Sequence, residues 1–155
     1  MKQKESNQEH IAIAKILDLP ISTKHSVEVC NFVKNKSTEK AKRLLNEVIK
    51  EQRAVPFKKY YKNVGHRVGK IGSGRYPKKA TREVIKLIEQ AEANAQDKGL
   101  DAKNLVIKEI KANKGQSNWH PGRIRRIKMK RTHLEITVEE LESKESKPKK
   151  GETKK

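Results

Sequence analysis

Eight of the nine arginines lie in two stretches free of Asp and Glu. The first runs from Gln52 to Arg82 and holds Arg53, Lys58, Lys59, Lys62, Arg67, Lys70, Arg75, Lys78, Lys79 and Arg82. The second lies between Glu109 and Glu135 and holds Lys111, Lys114, Arg123, Arg125, Arg126, Lys128, Lys130 and Arg131. Arginine presents a planar fork of donors suited to phosphates and base edges, whereas lysine is a hydrated point charge. In the first stretch Phe57, Tyr60, Tyr61, His66 and Tyr76 are interleaved with these cations. Rings beside charges offer stacking for bases and neutralisation for phosphates. The bland reading is that Phe57 and Tyr60 pin the segment to a core, which would occupy half of its Phe and Tyr rings.

Other chemistries find little support. His10, His25, His66, His120, His133 and the single Cys30 show no metal-ligand spacing. GKIGSG at 69–74 lacks the ending of a phosphate-binding P-loop and the strand–turn–helix context of a dinucleotide site. Its glycines are expected to let backbone approach a nucleic acid closely. Glu89, Glu92 and Asp97 sit among lysines on the polar side of a helical pattern and form a solvated face rather than an acid–base pair. Cys30 reads as a small core residue. No enzyme, metal or cofactor is expected.

The chain has 155 residues, 33% hydrophobic and 37% charged, with a formal net charge of +19. That suffices for one modest core, and so basic a balance points to a polyanion. No apolar run approaches the ~20 residues needed to span a bilayer. The polar start MKQKESNQEH is unlike a signal peptide, and one cysteine suits a reducing compartment. A soluble, intracellular chain is expected.

Residues 1–10 read as flexible. Ile11 to Leu19 is either a short strand or a helical turn, ended by Pro20. Ser22 or Thr23 caps a helix to about Lys34 with Val29, Cys30, Phe32 and Val33 inward. Ser37 or Thr38 caps a second, ending near Gln52, with Ala41, Leu44, Leu45, Val48 and Ile49 at helical spacing. From Ala54 to Tyr76 no periodicity survives, and a loop of this length is usually functional or disordered. Pro77 opens a third helix that buries Ala80, Val84, Leu87, Ile88, Ala91 and Ala95, stopped by Gly99 as its C′ residue. Lys78 and Lys79 oppose the dipole of that helix, which makes sense where a phosphate sits at its N-terminus. Leu105, Val106, Ile107 and Ile110 predict a strand. Leu134, Ile136 and Val138 alternate with polar residues and predict its partner. Together they form a long hairpin whose base packs on the core and whose basic arm, turned by Gly115 and Pro121–Gly122, does not. Residues 143–155 read as a disordered polar tail.

DNA readers concentrate charge on a recognition helix. Here the helices carry mixed charge, and the unbalanced cations sit on a glycine-rich loop and a hairpin arm, shapes that suit folded RNA. A membrane-surface helix would set cations opposite an apolar face bearing Trp or Phe, whereas the only Trp, Trp119, lies near the expected hairpin tip.

SGRYPKKA (73–80), AEANAQDKGLD (91–101), LVIKEIKANKG (105–115) and RTHLEITVEE (131–140) closely resemble the large-ribosomal-subunit protein twenty-two family. STKH (22–25), AKRLLNEVI (41–49), AVPFKKY (54–60) and GHRVG (65–69) fit in the same order, so the resemblance covers about residues 11–140. The VPF…GHR…GSGRYP segment resembles the archaeal and eukaryotic branch, and the short length is more similar to its archaeal members. The resemblance implies an α+β fold of three helices on a small antiparallel sheet, with a long basic β-hairpin lining the nascent-peptide exit tunnel. It implies a single rRNA-binding domain over 11–142, with the arm at about 111–131. Ser22, Lys24 and His25 match the helix-opening motif; Arg75, Tyr76, Lys78 and Lys79 match the rRNA-contacting motif; Arg123, Arg125 and Arg126 match the basic tip. The tip departs from the family pattern, with Ile124 and Ile127 in place of small residues, and Trp119, His120, Arg123, Ile124 and Arg125 are candidates for the tunnel wall. The implied partners are large-subunit rRNA, neighbouring large-subunit proteins and, transiently, the nascent peptide, in cytoplasmic ribosomes and without homo-oligomerisation. The alternative is a stand-alone basic RNA- or DNA-binding protein.

Overall fold

The fold is built on a three-stranded antiparallel sheet of order β1–β5–β4, and a computed structural model describes residues 10–141. β1 is Ile11–Leu19, β4 is Leu105–Lys114 and β5 is Thr132–Glu140. The expected flexible N-terminus lies outside the described residues except for His10, whose carbonyl accepts the Glu140 N–H. The tail at 143–155 lies wholly outside them.

β1 resolves the open alternative in favour of strand. Ala12 and Ala14 are buried while Ile13, Lys15 and Leu17 face out, the period of two that a sheet imposes. Its register on β5 runs from Ile11 opposite Glu139 to Ile16 opposite Leu134 and then breaks, with Asp18 at φ 54° in the bulge before Leu19 meets Thr132. The sequence is ambiguous here because IAIAKILDL satisfies both periods, and pairing to β5 decides.

The hairpin places Ile107, Ile110, Leu134, Ile136 and Val138 on the inner face. Its ladder extends to Lys114 opposite Thr132, so Lys111 and Lys114 belong to the paired strands and the irregular arm begins at Gly115. Both sheet edges are covered. Asn94 and Lys98 donate to the Ile13 and Ile11 carbonyls at 2.9 Å each, and Asn35 and Lys36 bond the Ile107 backbone on the β4 side.

Helices α1 (Thr23–Val33), α2 (Thr38–Ile49) and α3 (Lys78–Asp97) cover the inner face. α2 and α3 bury the expected apolar residues, except that Ile49 is only half-buried, as Phe32 is on α1. Pro77 stands at the N-cap of α3, one position before its expected place. At the far end Gly99 takes φ 77°; its N–H bonds the Gln96 carbonyl and that of Leu100 bonds the Ala95 carbonyl, closing the helix and folding Leu100 onto the core. Leu45, Leu87, Ile88, Leu105, Leu134 and Ile136 are fully buried, and each contributes about 1.5–3 kcal/mol by leaving water.

Candidate nucleic-acid interface

The segment from Ala54 to Tyr76 has more structure than its sequence suggests. β2 (Val55–Pro56) pairs antiparallel with β3 (Gly74–Arg75), and the Phe57 N–H bonds the Ser73 carbonyl at 2.9 Å. Inside this ribbon His66 bridges to Ser73, and the Arg67 N–H reaches the Gly72 carbonyl at 2.9 Å. Two strands of two residues are too short to leave a period. The glycines have local reasons. Gly69 and Gly72 take φ of 107° and 66°, and a Cβ on Gly74 would meet Ala54, Arg67 and Ile71 at 3.2–3.3 Å.

Two of the four aromatic rings of this loop join the core. Phe57 is buried and meets His25 edge-on, with centroids 5.6 Å apart, and Tyr60 is partly buried against the same cluster. Tyr61 is exposed. Tyr76 lies under the Arg67 guanidinium at 5.3 Å, and the Tyr60 ring is flanked by the Lys24 and Lys59 ammoniums at 5.7 Å each.

The carboxylate beneath this loop is one that the sequence reading passes over. Glu28 is 1% exposed and accepts three successive backbone N–H groups, from Lys58 at 3.1 Å, Lys59 at 2.8 Å and Tyr60 at 2.7 Å. Its only sequence signal is an acid beside Val29 and Cys30 on the apolar face of α1.

Three clefts run in succession along the basic side. The first, of about 340 Å³, is lined by Lys24, His25, Tyr60, Lys62 and Arg75 among others. The second, of about 410 Å³, shares Ser22 and His25 with it and adds Lys78, Lys79 and Lys130. The third, of about 340 Å³, shares Pro20, Lys79 and Lys130 with the second and continues along the arm past His120, Lys128 and Arg131. A continuous cationic groove thus joins the start of α1, the loop, the start of α3 and the arm. Burial, then the charges of Arg75 and Lys130, lower the pKa of His25 below its usual value, which favours the neutral imidazole at the junction.

Not every predicted cation is free for an anion. Glu51, at the border of the first acid-free stretch, pairs with Lys78 at 2.7 Å, and the hydrogen bond and charge of Lys78 lower its pKa. Arg53 pairs with Glu47 at 2.8 Å. The α3 N-terminus is therefore less uncompensated than its sequence suggests, although Lys79 and Arg82 remain exposed. Lys111 stands on the open face of the sheet, paired with Glu109 at 2.9 Å and opposite Glu135, away from the groove. Lys58, Lys59, Lys62, His66, Arg67 and Lys70 are exposed on the loop.

The arm, residues 115–131, is held by backbone bonds. Gly115 N–H meets the Arg131 carbonyl at 2.9 Å, His120 N–H that of Ile127 at 2.9 Å, and Met129 N–H that of Asn118 at 2.7 Å. Its tip is the 3-10 turn Gly122–Ile124. Arg131 donates to the Asp18 carbonyl at 3.0 Å, tying the arm's root to the β1 bulge. Trp119, Ile124 and Ile127 are more than half exposed, and Lys128 lies 4.6 Å over the Trp119 ring. Arg123, Arg125 and Arg126 are exposed, and among the described residues none of them forms an ion pair.

Elsewhere the groups are inert. The buried Cys30 thiol is pushed up to about 12, so it is not a nucleophile at neutral pH. Among the described residues no three of His, Cys, Asp and Glu form a metal cluster, and no helix is long and apolar enough to cross a membrane.

Residues 14–139 match the family model for ribosomal protein L22p/L17e. The chain is similar to the large ribosomal subunit protein uL22 of Archaeoglobus fulgidus, 44% identical over 115 residues, covering 73% of this chain and 74% of that one. It is 42% identical over 144 residues to the protein of the same name from Methanopyrus kandleri, covering 88% and 91%. With the one from Thermofilum pendens it shares 39% over 143 residues, covering 89% and 95%. With its three helices, its small antiparallel sheet and these relatives, the chain belongs to the archaeal branch of the ribosomal protein L22p/L17e family.

Proposed function

We propose that this chain is a structural constituent of the large ribosomal subunit in the cytoplasm, binding and scaffolding large-subunit rRNA through its basic groove while its hairpin arm lines the exit tunnel. The observation that carries this reading is the continuity of the groove: Ser22, His25, Lys79 and Lys130 are shared between successive clefts, which makes a track for one polyanion. The names of its relatives support the ribosomal setting. Lys24, His25, Lys59, Tyr60, Lys62, Arg75, Tyr76 and Lys79 contact rRNA from the body, with the more exposed loop cations Lys58, His66, Arg67 and Lys70 around them. Lys114, Lys128, Lys130 and Arg131 contact it from the hairpin. Trp119, His120, Arg123, Ile124, Arg125 and Arg126 form the tip, where the three arginines contact rRNA and the first five also border the tunnel and meet the nascent peptide in passing. Arg53, Lys78 and Lys111, already paired with acids, contribute less. The activity is scaffolding, with no catalysed reaction.

The test is sedimentation of cell lysate at moderate and high salt, tracking the chain against the large subunit. Co-sedimentation that survives high salt is expected, because a shape-locked component is held by more than screened charge. Free protein at the top of both gradients would overturn the ribosomal reading and leave a stand-alone nucleic-acid binder. Crosslinking from Trp119 to Arg126 then maps the tunnel wall.

A further inference from the structure

We infer that Glu28 is a positioning residue for rRNA binding: its buried carboxylate gathers the N–H groups of Lys58, Lys59 and Tyr60 and so sets the mouth of the basic groove. This rests on the rRNA reading above. Glu28 is the only Asp, Glu, Lys or Arg among the buried described residues, in a chain whose net charge is +19. Among the described residues it pairs with no ammonium or guanidinium and spends its oxygens on the backbone, Oε1 taking Lys59 and Tyr60 and Oε2 taking Lys58. Three convergent donors make an anion-binding concavity, here filled from inside the protein.

Two of the same three residues, Lys59 and Tyr60, line the first cleft, while Lys58 borders a neighbouring cleft with Glu28 itself. With the backbone turned inward onto Glu28, the Lys58 and Lys59 side chains stay exposed, and the Tyr60 ring stands between the ammoniums of Lys59 and Lys24 at the first cleft. Among the described residues the N–H groups of residues 58–60 meet no backbone acceptor and bond Glu28 instead. A loop ordered before binding has less conformational freedom to lose when RNA arrives. The acid therefore promotes binding of a polyanion without touching it.

The full-length chain with Glu28→Gln, compared with wild type on a large-subunit rRNA transcript, tests this. Gln keeps the shape but replaces one acceptor oxygen with a donor that faces N–H groups. Affinity is expected to fall on the order of tenfold. Hydroxyl-radical protections that depend on the loop, defined by their loss in Lys58→Ala/Lys59→Ala, should disappear while those under the arm persist. Glu28→Asp, which keeps the charge, should recover part of both. In the free wild-type chain the amides of 58–60 should exchange slowly for an exposed loop, and fast in Glu28→Gln. Unchanged affinity and protections in Glu28→Gln would overturn the role, as would a uniform weakening of every protection in step with lost thermal stability. If Glu28→Gln does not fold, Glu28→Asp carries the same comparison with a partial loss confined to the loop. A wild-type chain that does not bind the transcript overturns the rRNA reading itself, whereas binding that is indifferent to Glu28 overturns this inference alone.

Discussion

In the loop of residues 54–76, Phe57 is buried against His25, Tyr60 packs on the core between two ammoniums, and Glu28 holds three consecutive amides from below. In the arm of residues 115–131, Trp119 is 57% exposed, Ile124 is 53% exposed, and order rests on a few backbone bonds, one cation over a ring and the Arg131 tie to the Asp18 carbonyl. The two regions carry the same kinds of side chain, both lack acids, and both bend on glycine. They differ in what lies behind them. The loop is wrapped on the body and borrows its core, so it presents cations in a fixed pattern before RNA arrives. The arm adds no apolar side chain to the buried core and leaves Trp119, Ile124 and Ile127 more than half exposed; an isolated hairpin of that sort is marginal. On the function proposed above, rRNA would cover its apolar side chains and pair its arginines.

Removing the arm breaks the comparison most directly. Deletion of Lys114 to Lys128 takes away five cations and no residue of the inner face. The body should keep its thermal midpoint, while the logarithmic salt dependence of rRNA binding becomes shallower by about four. A chain that unfolds on this deletion would mean the arm contributes to the core after all.

The rings divide the regions next. Phe57→Ala is expected to cost about 3–5 kcal/mol of stability, since a buried aromatic leaves a cavity. Trp119→Ala should stay within about 0.5 kcal/mol of wild type in the free chain, since it is exposed, yet weaken rRNA binding. Chemical denaturation of the two variants measures the stabilities, and titration with an rRNA transcript measures the binding loss.

Single cations give smaller effects. Arg125→Ala and Lys79→Ala should each reduce the salt slope of rRNA binding by about one. Lys111→Ala should hardly change it, because Lys111 faces Glu109 and Glu135 on the other side of the sheet.

The smallest effect is a pH dependence confined to the body. The folded pKa of His25 is lowered, chiefly by burial and then by Arg75 and Lys130. The unfolded chain therefore takes up this proton first as pH falls, and folding loses stability from about pH 6.5 downward until the folded group also titrates. The drop in melting temperature between pH 7.5 and 5.5 should be smaller in His25→Gln than in wild type.

Much of the framework was legible in the residues. Ala41, Leu44, Leu45 and Val48 announce α2 by their spacing, and Gly99 with Leu100 announces the end of α3. The alternation of Leu134, Ile136 and Val138 announces β5. These are local signals, in which each residue's period is repeated by neighbours within two turns or a few pleats. The acid-free stretches were equally plain, and Arg123, Arg125 and Arg126 stand exposed on the arm as their setting suggests. The ribbon of β2 and β3 was hidden because its two strands lie 17 residues apart and have two residues each. Glu51 borders an acid-free stretch in sequence, and only the turn after α2 swings it onto Lys78.

By itself, then, the sequence determined the helices, the hairpin strands and the segregation of cations from acids, because periodicity and charge are properties of a linear string. Tertiary structure decided that β1 is a strand, by giving an ambiguous apolar run a partner in β5. It decided which cations are free, by bringing Glu47 and Glu51 onto Arg53 and Lys78. It also placed Glu28 under amides 30 to 32 residues away and joined loop, helix starts and arm into one groove. Such contacts depend on distances that only a closed core fixes, and no local pattern encodes them.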